Sequence, residues 1–530
     1  MEKFEYFSGL LRKGHITRRE FLGRAVAMGV SLPIATSIAS QVAQSASPKK
    51  GGHFIFGSGH GSTTDDLDPA KVENDNTIAT TWAFRGHLTE VSNTDELIGD
   101  LAESWEVTPD ASTWIFKLRD GVEFHNGKTL DANDVVASIN YHRGEDSASA
   151  AKPIIEGIEE ITATGKNEVT IKLSSSNADF PYIVSDYHLA IMASDGEGNV
   201  DWQDYNGTGG YKLENFDPGV TTSLTRNPNF YKENRAHFDS IEILTIADTL
   251  ARTTALGTGE IHMMDRCDLK TVKFMKKNKD ISVKETSGTA HYTIPMLTNV
   301  APFDNNDLRL ALKHGVDREV LLKTILNGHG VVGNDHPIGR SNQYHADDLE
   351  QRTYDPDKAN FYLKKAGHDS ITVNLVASDA AFSGAVDAAI LYKEQASKAG
   401  INIDVVRSPA DGYWAAHWIK SPWIMSYWSG RPTEDWMFAT AYASGAAWNE
   451  TAWEHEKFNK LMLEGRAELD KTKRRAIYYE MQAILRNEGG SVIPMFNNYV
   501  FAARSNVQHG QLSAAWPQDG QKAFERWWFS

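Results

Sequence analysis

The stretch from Leu101 to Arg143 constrains the fold more than any other part of this chain, because its residue types spell out strand, turn, strand, turn and helix in order. Between Thr113 and Arg119, the residues Trp114, Phe116 and Leu118 fall on one side of a period-two pattern and Thr113, Lys117 and Arg119 on the other, as a half-buried strand requires. Asp120-Gly121 turns the chain, Val122 and Phe124 resume the alternation, and Asn126-Gly127 supplies a second turn. A helix is predicted next. Asp131 is its cap, Asp134 stands where a carboxylate meets free N–H groups, and Val135, Val136 and Ile139 form its apolar face.

Length and charge narrow the choices further. A chain of 530 residues exceeds what one hydrophobic core holds and predicts two or three domains. The net charge is −16, and the first 46 residues are net basic, so the remainder is near −19. A nucleic-acid partner is disfavoured, since phosphate binding needs a basic surface. Cys267 is the one cysteine, which excludes an internal disulfide and a multi-cysteine metal site, and it reads as a buried small apolar side chain.

After residue 47, short strands punctuated by Gly, Pro and Asp alternate with amphipathic helices, so the fold class is α/β. Strand Ile371 to Ala377, a helix from about Phe382 to Ala399 and strand Ile401 to Val406 predict a right-handed parallel crossover, with Val386, Ala389, Ile390 and Ala396 as the helix's packing face and Gly400 as its stop. Phe458, Leu461, Met462 and Leu469, then Ile477, Met481, Ile484 and Leu485, mark two more helices. Ser491 to Arg504 reads as a returning strand.

The densest chemical cluster is Ser421 to Trp436, where Trp423, Tyr427, Trp428 and Trp436 accompany Arg431, Glu434 and Asp435 among Gly and Pro residues. These aromatics are candidates for a ligand cleft. His60, with Thr63, lies in the loop after the first strand, and His291 and Tyr292 lie farther on, and these are weaker candidates. The pair Trp414 and Trp418 has i, i+4 spacing and reads as helix packing. No HExxH, CxxC or GxSxG motif occurs, and the Gly-rich runs at Gly51 to Gly61 and Gly207 to Gly210 fit neither a P-loop nor a dinucleotide fingerprint. The expectation is no catalytic residue, no metal site and no cofactor.

The Leu101 to Arg143 stretch resembles the family 5 extracellular solute-binding proteins, the dipeptide, oligopeptide and nickel receptors of ABC importers. Similar collinear matches occur at Gly51 to Ala70, Gly207 to Tyr231, Ala301 to Val320 and Tyr354 to Gly367. The resemblance implies a periplasmic binding protein type II-like fold of the large three-domain kind (cluster C), with a hinged cleft. It implies a first domain from 48–90, 207–290 and 497–530, a second inserted at 91–206, and a third at 291–496, with hinge crossings near His291 to Asn299 and Pro494 to Tyr499. Thr17-Arg18-Arg19-Glu20-Phe21-Leu22 and the apolar run Ala25 to Ile38 resemble a twin-arginine signal peptide over 1–46. A periplasmic monomer follows from this, one that captures a small solute and hands it to permease subunits in the inner membrane.

The resemblance also sharpens the loop. In dipeptide receptors an Asp after a similar Gly-Trp-Thr-Gly segment captures the peptide's ammonium group. Matching that segment to Tyr427-Trp428-Ser429-Gly430 puts Arg431 at the Asp position. A cation there suits a carboxylate, phosphate or polyol, although Asp435 or Glu434 remains available for an ammonium. The candidate ligand residues are therefore Tyr427, Trp428, Ser429, Gly430, Arg431, Asp435, Trp436, His60 and His291. A peptide or peptide-like solute leads, an opine or oligosaccharide is the alternative, and an enzyme exported by the twin-arginine route is remote.

Overall fold

The computed structural model describes residues 48–530 and, ahead of them, Phe21 alone, so the twin-arginine stretch and its apolar run lie outside the described residues. The first strand, β1 (His53–Ser58), is followed by helix α1 (Asp75–Phe84), whose cap Asn74 exchanges hydrogen bonds with Thr77. Next come β2 (Ala102–Val107), β3 (Thr113–Leu118), helix α2 (Ala132–Tyr141), β4 (Ile158–Gly165) and β5 (Glu168–Leu173), and the four strands form an antiparallel sheet in the order β2, β3, β5, β4. Trp114, Phe116 and Leu118 are buried as the alternation requires, each contributing about 1.5–3 kcal/mol. Gly121 and Gly127 make the two turns at φ +72° and +88°. Asp131 caps α2 and its backbone N–H donates in return to the Asp134 carboxylate, while Val135 and Ile139 are buried. Val136 is only half-buried, one step round the helix.

The chain then returns through β6 (Tyr211–Asp217), β7 (Thr221–Arg226), β8 (Ser240–Thr245), β9 (Met263–Met264) and the long β10 (Ile281–Pro295). Beyond it lie β11 (Gly330–Val332), β12 (Ile371–Ala377), helix α3 (Ala385–Ser397), β13 (Ile401–Arg407), β14 (Ser426–Trp428), helices α4 (Glu434–Ala441), α5 (Glu456–Ala467) and α6 (Lys471–Glu488), and finally β15 (Ser491–Arg504). One nine-stranded sheet runs β14, β10, β15, β9, β1, β8, β7, β6, with β11 added to β15. It receives strands from both ends of the chain and from its middle, so the polypeptide leaves it and returns more than once.

β12 and β13 are parallel in register from Ile371 opposite Ile401 to Ala377 opposite Arg407, as the crossover predicts, and Gly400 sits at φ +84° beyond the helix. The packing face of α3 differs from expectation. Ala385, Ala388, Ala389, Tyr392 and Ala396 are buried, whereas Val386 and Ile390 flank the contact half-buried. The small alanines let the helix approach closely, and the buried Tyr392 donates to the carbonyl of Leu312 at 2.7 Å. In α5 and α6 the predicted residues are buried except Ile477, which is half-buried, and Leu469, which falls in the connection and is exposed. Cys267 is free and buried, its thiol pushed up to about 12 by desolvation. Among the described residues no helix is long and apolar enough to cross a membrane.

Candidate functional site

The site is built around an irregularity in the central ladder. β10 and β15 pair antiparallel, Ser287 opposite Asn498 and His291 opposite Phe496, so Gly288, Thr289 and Ala290 bulge out, three residues where the partner strand has Asn497 alone. The break lies slightly before the hinge crossing expected from sequence. Two glycines are needed here. A Cβ on Gly288 would stand 2.4 Å from the Tyr499 ring, and one on Gly430, at φ +79°, would stand 2.3 Å from Thr289 Oγ1 and 2.6 Å from its carbonyl carbon. Residue 430 is thereby laid directly on the bulge.

Edge strand β14 pairs with β10, with Tyr292 opposite Tyr427 and His291 opposite Trp428. Alternation turns Trp428 inward against Trp418 and Trp448, at ring separations of 6.5 and 6.1 Å, and turns Tyr427 outward, 46% exposed, beside Trp414. Ser429 is exposed. Arg431 follows, its guanidinium carbon 5.7 Å from the Trp428 ring and 6.0 Å from that of Trp436, with Nη1 donating to the Gly430 carbonyl at 2.7 Å. Asn342 Nδ2 holds the loop by donating to the carbonyls of Arg431 (3.0 Å) and Pro432 (3.1 Å). No carboxylate forms an ion pair with Arg431 among the described residues. Desolvation lowers its pKa, against the weaker pull of Tyr187 and Asp186.

A second polar cluster surrounds His60, after β1. His60 Nδ1 is 3.2 Å from Asp75 Oδ2, and Arg266 donates to His60 Nε2. Gln521 Nε2 donates to Asp75 Oδ1 at 2.8 Å. Asp265 accepts from the Gly59 N–H at 2.7 Å, and burial pushes its carboxyl up to about 6. Tyr187 lies in the segment that follows β5. It lies against His188 (4.1 Å between rings) and Trp516 (5.8 Å), and it feels the charges of both Arg431 and Asp75. Asp186 is engaged by the Nδ1 of His188 at 2.6 Å.

The structure brings Trp428, Gly430, Arg431 and Trp436 together and places His60, half-buried, in the second polar cluster. Two expectations need correction. Asp435 is buried and ion-paired with Arg466 at 3.0 Å, and Glu434 is buried accepting the Tyr344 N–H at 2.7 Å, because both occupy the inward-facing first turn of α4. Neither is free for an ammonium group. His291 is fully buried, its Nδ1 against the Thr289 carbonyl (2.9 Å) and its ring on Phe496 (5.1 Å), and desolvation pushes it down to about 4, so it packs the bulge. Asp75, Tyr187, Arg266, Thr289 and Tyr499 carried no signal in the sequence, since each stands alone in an otherwise ordinary segment.

A family model described as the bacterial extracellular solute-binding proteins, family 5, middle part, matches residues 96–450. The chain belongs to that family. Among its relatives are the glutathione-binding protein GsiB of Pectobacterium atrosepticum, 23% identical over 80% of this chain and 84% of that protein, and the dipeptide-binding protein of Escherichia coli, 26% identical over 78% and 84%. The fold is similar to that of the periplasmic binding protein DppA from Helicobacter pylori in complex with the peptide STSA, with a TM-score of 0.72 and 20% identity over 91% of this chain and 98% of that one. The α/β architecture is that of the type II-like periplasmic binding proteins. As a family 5 protein, the chain is the solute-binding component of an ABC importer, a binding protein that works with membrane permeases.

Proposed function

We propose that this receptor captures a small peptide-like solute by presenting Arg431 to an anionic group of that solute. The observation that carries the reading is a half-buried guanidinium beside the Trp428 and Trp436 rings with no carboxylate partner among the described residues. Such a cation keeps its charge and offers a forked donor pair to a carboxylate. The names of the dipeptide- and glutathione-binding relatives support a peptide-like frame. The ligand residues on this reading are Arg431, Trp436, Gly430 and Tyr427 on one wall, His60 and Asp75 on the other, and Tyr187 between them.

Binding precedes closure about the bulge at Gly288 to Ala290, driven by contacts that exist only when the walls meet. The moving parts are the three units assigned from the resemblance, 48–90 with 207–290 and 497–530, then 91–206, then 291–496. The chain acts as a monomer without catalysis, exported to the periplasm through the twin-arginine pathway. A second reading, a sugar-like solute, is favoured by the exposed rings of Tyr427 and Trp448, on which a pyranose face can stack.

Calorimetry of the mature protein against dipeptides and their C-terminal amides tests the proposal. Free acids are expected to bind at least tenfold tighter than amides, and Arg431→Ala to erase that difference. Equal affinity of acids and amides in the unaltered protein would overturn the anionic reading, and binding only by oligosaccharides would replace it with the second.

A further inference from the structure

A cavity of about 350 Å³ lies beside β11, and none of Tyr427, Trp428, Arg431, Trp436, His60 or Asp75 lines it. Its apolar lining comes from Val331 and Val332 of β11 and from Phe496 of β15, which stands opposite Val331 in the ladder. A volume of this order suits a small organic molecule. The rest of the lining is supplied by the connection that follows β11, where polar residues predominate.

That polar lining is rich in acceptors and poor in donors. Asn334 Nδ2 is spent on the carbonyls of Leu349 (3.4 Å) and Glu350 (3.1 Å), and Gln351 Nε2 on those of Gly333 (2.8 Å) and Arg352 (3.3 Å). His345 Nδ1 is 2.9 Å from Asp347 Oδ1, and because a carboxylate only accepts, that nitrogen carries a proton. Desolvation holds the His345 pKa below its ordinary value, so the ring is neutral at pH 7 and Nε2 keeps its lone pair. The ring of His336 lies 5.6 Å from that of His345, is 2% exposed, and has no hydrogen-bond partner at Nδ1 among the described residues. A buried ring left in this state calls for a partner that the protein does not supply. Asp348 and Glu350 are exposed and form no ion pair among the described residues, and Arg340, also exposed, is the one arginine or lysine of the lining.

We infer that this cavity is a second binding site, one that takes a primary ammonium group carried on an apolar body. The ammonium donates to Nε2 of His345 in the field of Asp347, Asp348 and Glu350, and the body covers Val331, Val332 and Phe496. An anion is disfavoured, since three carboxylates stand against the single guanidinium of Arg340. The cavity also backs onto the bulge: Phe496 lies against His291, 5.1 Å between rings, and a Cβ on Gly339, another lining residue, would stand 3.3 Å from Thr289 Cα. The ammonium group therefore has two sources, a free amine or a basic side chain of the solute itself. The inference does not rest on the role of Arg431.

Calorimetry of the unaltered protein with benzylamine against benzyl alcohol, and with L-alanyl-L-lysine against L-alanyl-L-norleucine, separates the two sources. A preference of about tenfold or more for benzylamine marks a free amine, and one confined to alanyl-lysine marks the solute's own side chain. Either preference should fall to within about twofold in His345→Phe and in the double variant Asp348→Asn with Glu350→Gln, whose exposed positions leave the interior untouched. The absence of both preferences overturns the inference, as does a preference that survives the double variant. Benzylamine preferred over benzyl alcohol, with neither dipeptide bound, would leave the inference standing and count against the proposed function.

Discussion

Arg474 of α6 donates to Asp179 at 2.7 Å, a buried ion pair between residues 295 positions apart in the chain. Beside it the Ala178 N–H donates to the Arg466 carbonyl at 2.7 Å, and Arg466 pairs with Asp435. The segment after β5 is thus clasped to the helices that follow the Arg431 loop. Asp179→Ala leaves the Arg474 charge buried without its partner, which costs about 3–5 kcal/mol in pairs of this kind. The expected outcome is a lower melting temperature and faster solute release, read by stopped-flow tryptophan fluorescence. Unchanged release and unchanged melting would show that the clasp contributes nothing to holding these segments together.

Glu434 predicts how stability responds to pH. Burial pushes its carboxyl up to about 7. A folded-state value above the unfolded one means the folded protein binds the proton more tightly, so the contribution is full below pH ~4.5 and is lost as pH rises through ~7. Glu434→Gln keeps an acceptor for the Tyr344 N–H and carries no charge. It should match the unaltered protein near pH 4.5 and exceed it above pH 7, by at most about 3 kcal/mol in urea unfolding. A difference that does not vary with pH would contradict the assignment.

Gly430→Ala should disable the site from one atom. The added Cβ meets both the side chain and the backbone of Thr289 at a left-handed φ, so no rotamer change relieves it. Solute affinity is expected to fall more than tenfold with loss of some stability, whereas Ser429→Ala at the exposed neighbour should be within about twofold. Equal effects of the two substitutions would argue against close packing on the bulge.

Asp335 is a buried carboxylate that engages two arginines. It accepts from Nη2 of Arg318 with both oxygens at 2.6 Å, lies 2.8 Å from Nε of Arg352 and accepts the Ile493 N–H at 3.0 Å, all in the interior. Two cations would be stranded by Asp335→Ala, and a loss of about 3–5 kcal/mol is expected in equilibrium unfolding. A loss below about 1 kcal/mol would mean that water compensates both arginines.

Local grammar carried much of the fold. The β2 to α2 unit, the parallel crossover of β12, α3 and β13, and the β15 strand were legible because period-two and helical alternation, Gly turns and carboxylate caps act within a few residues of one another. The errors were local too. Val386 and Ile390 looked like core by hydrophobicity, yet a row of alanines gave the closer approach, and Leu469 continued an apolar spacing past the end of its helix.

The sequence alone determined the family, the α/β class and the aromatic loop around Arg431, because those are properties of segments. Only the tertiary structure decided which charges remain free. Asp435 and Glu434, close to Arg431 in sequence, are turned inward by the first turn of α4 and neutralised or desolvated there, while His60, Asp75 and Arg266, far apart in sequence, are brought next to one another by the fold. Charge availability depends on burial and partner, and both are set by contacts between distant residues that no short pattern encodes.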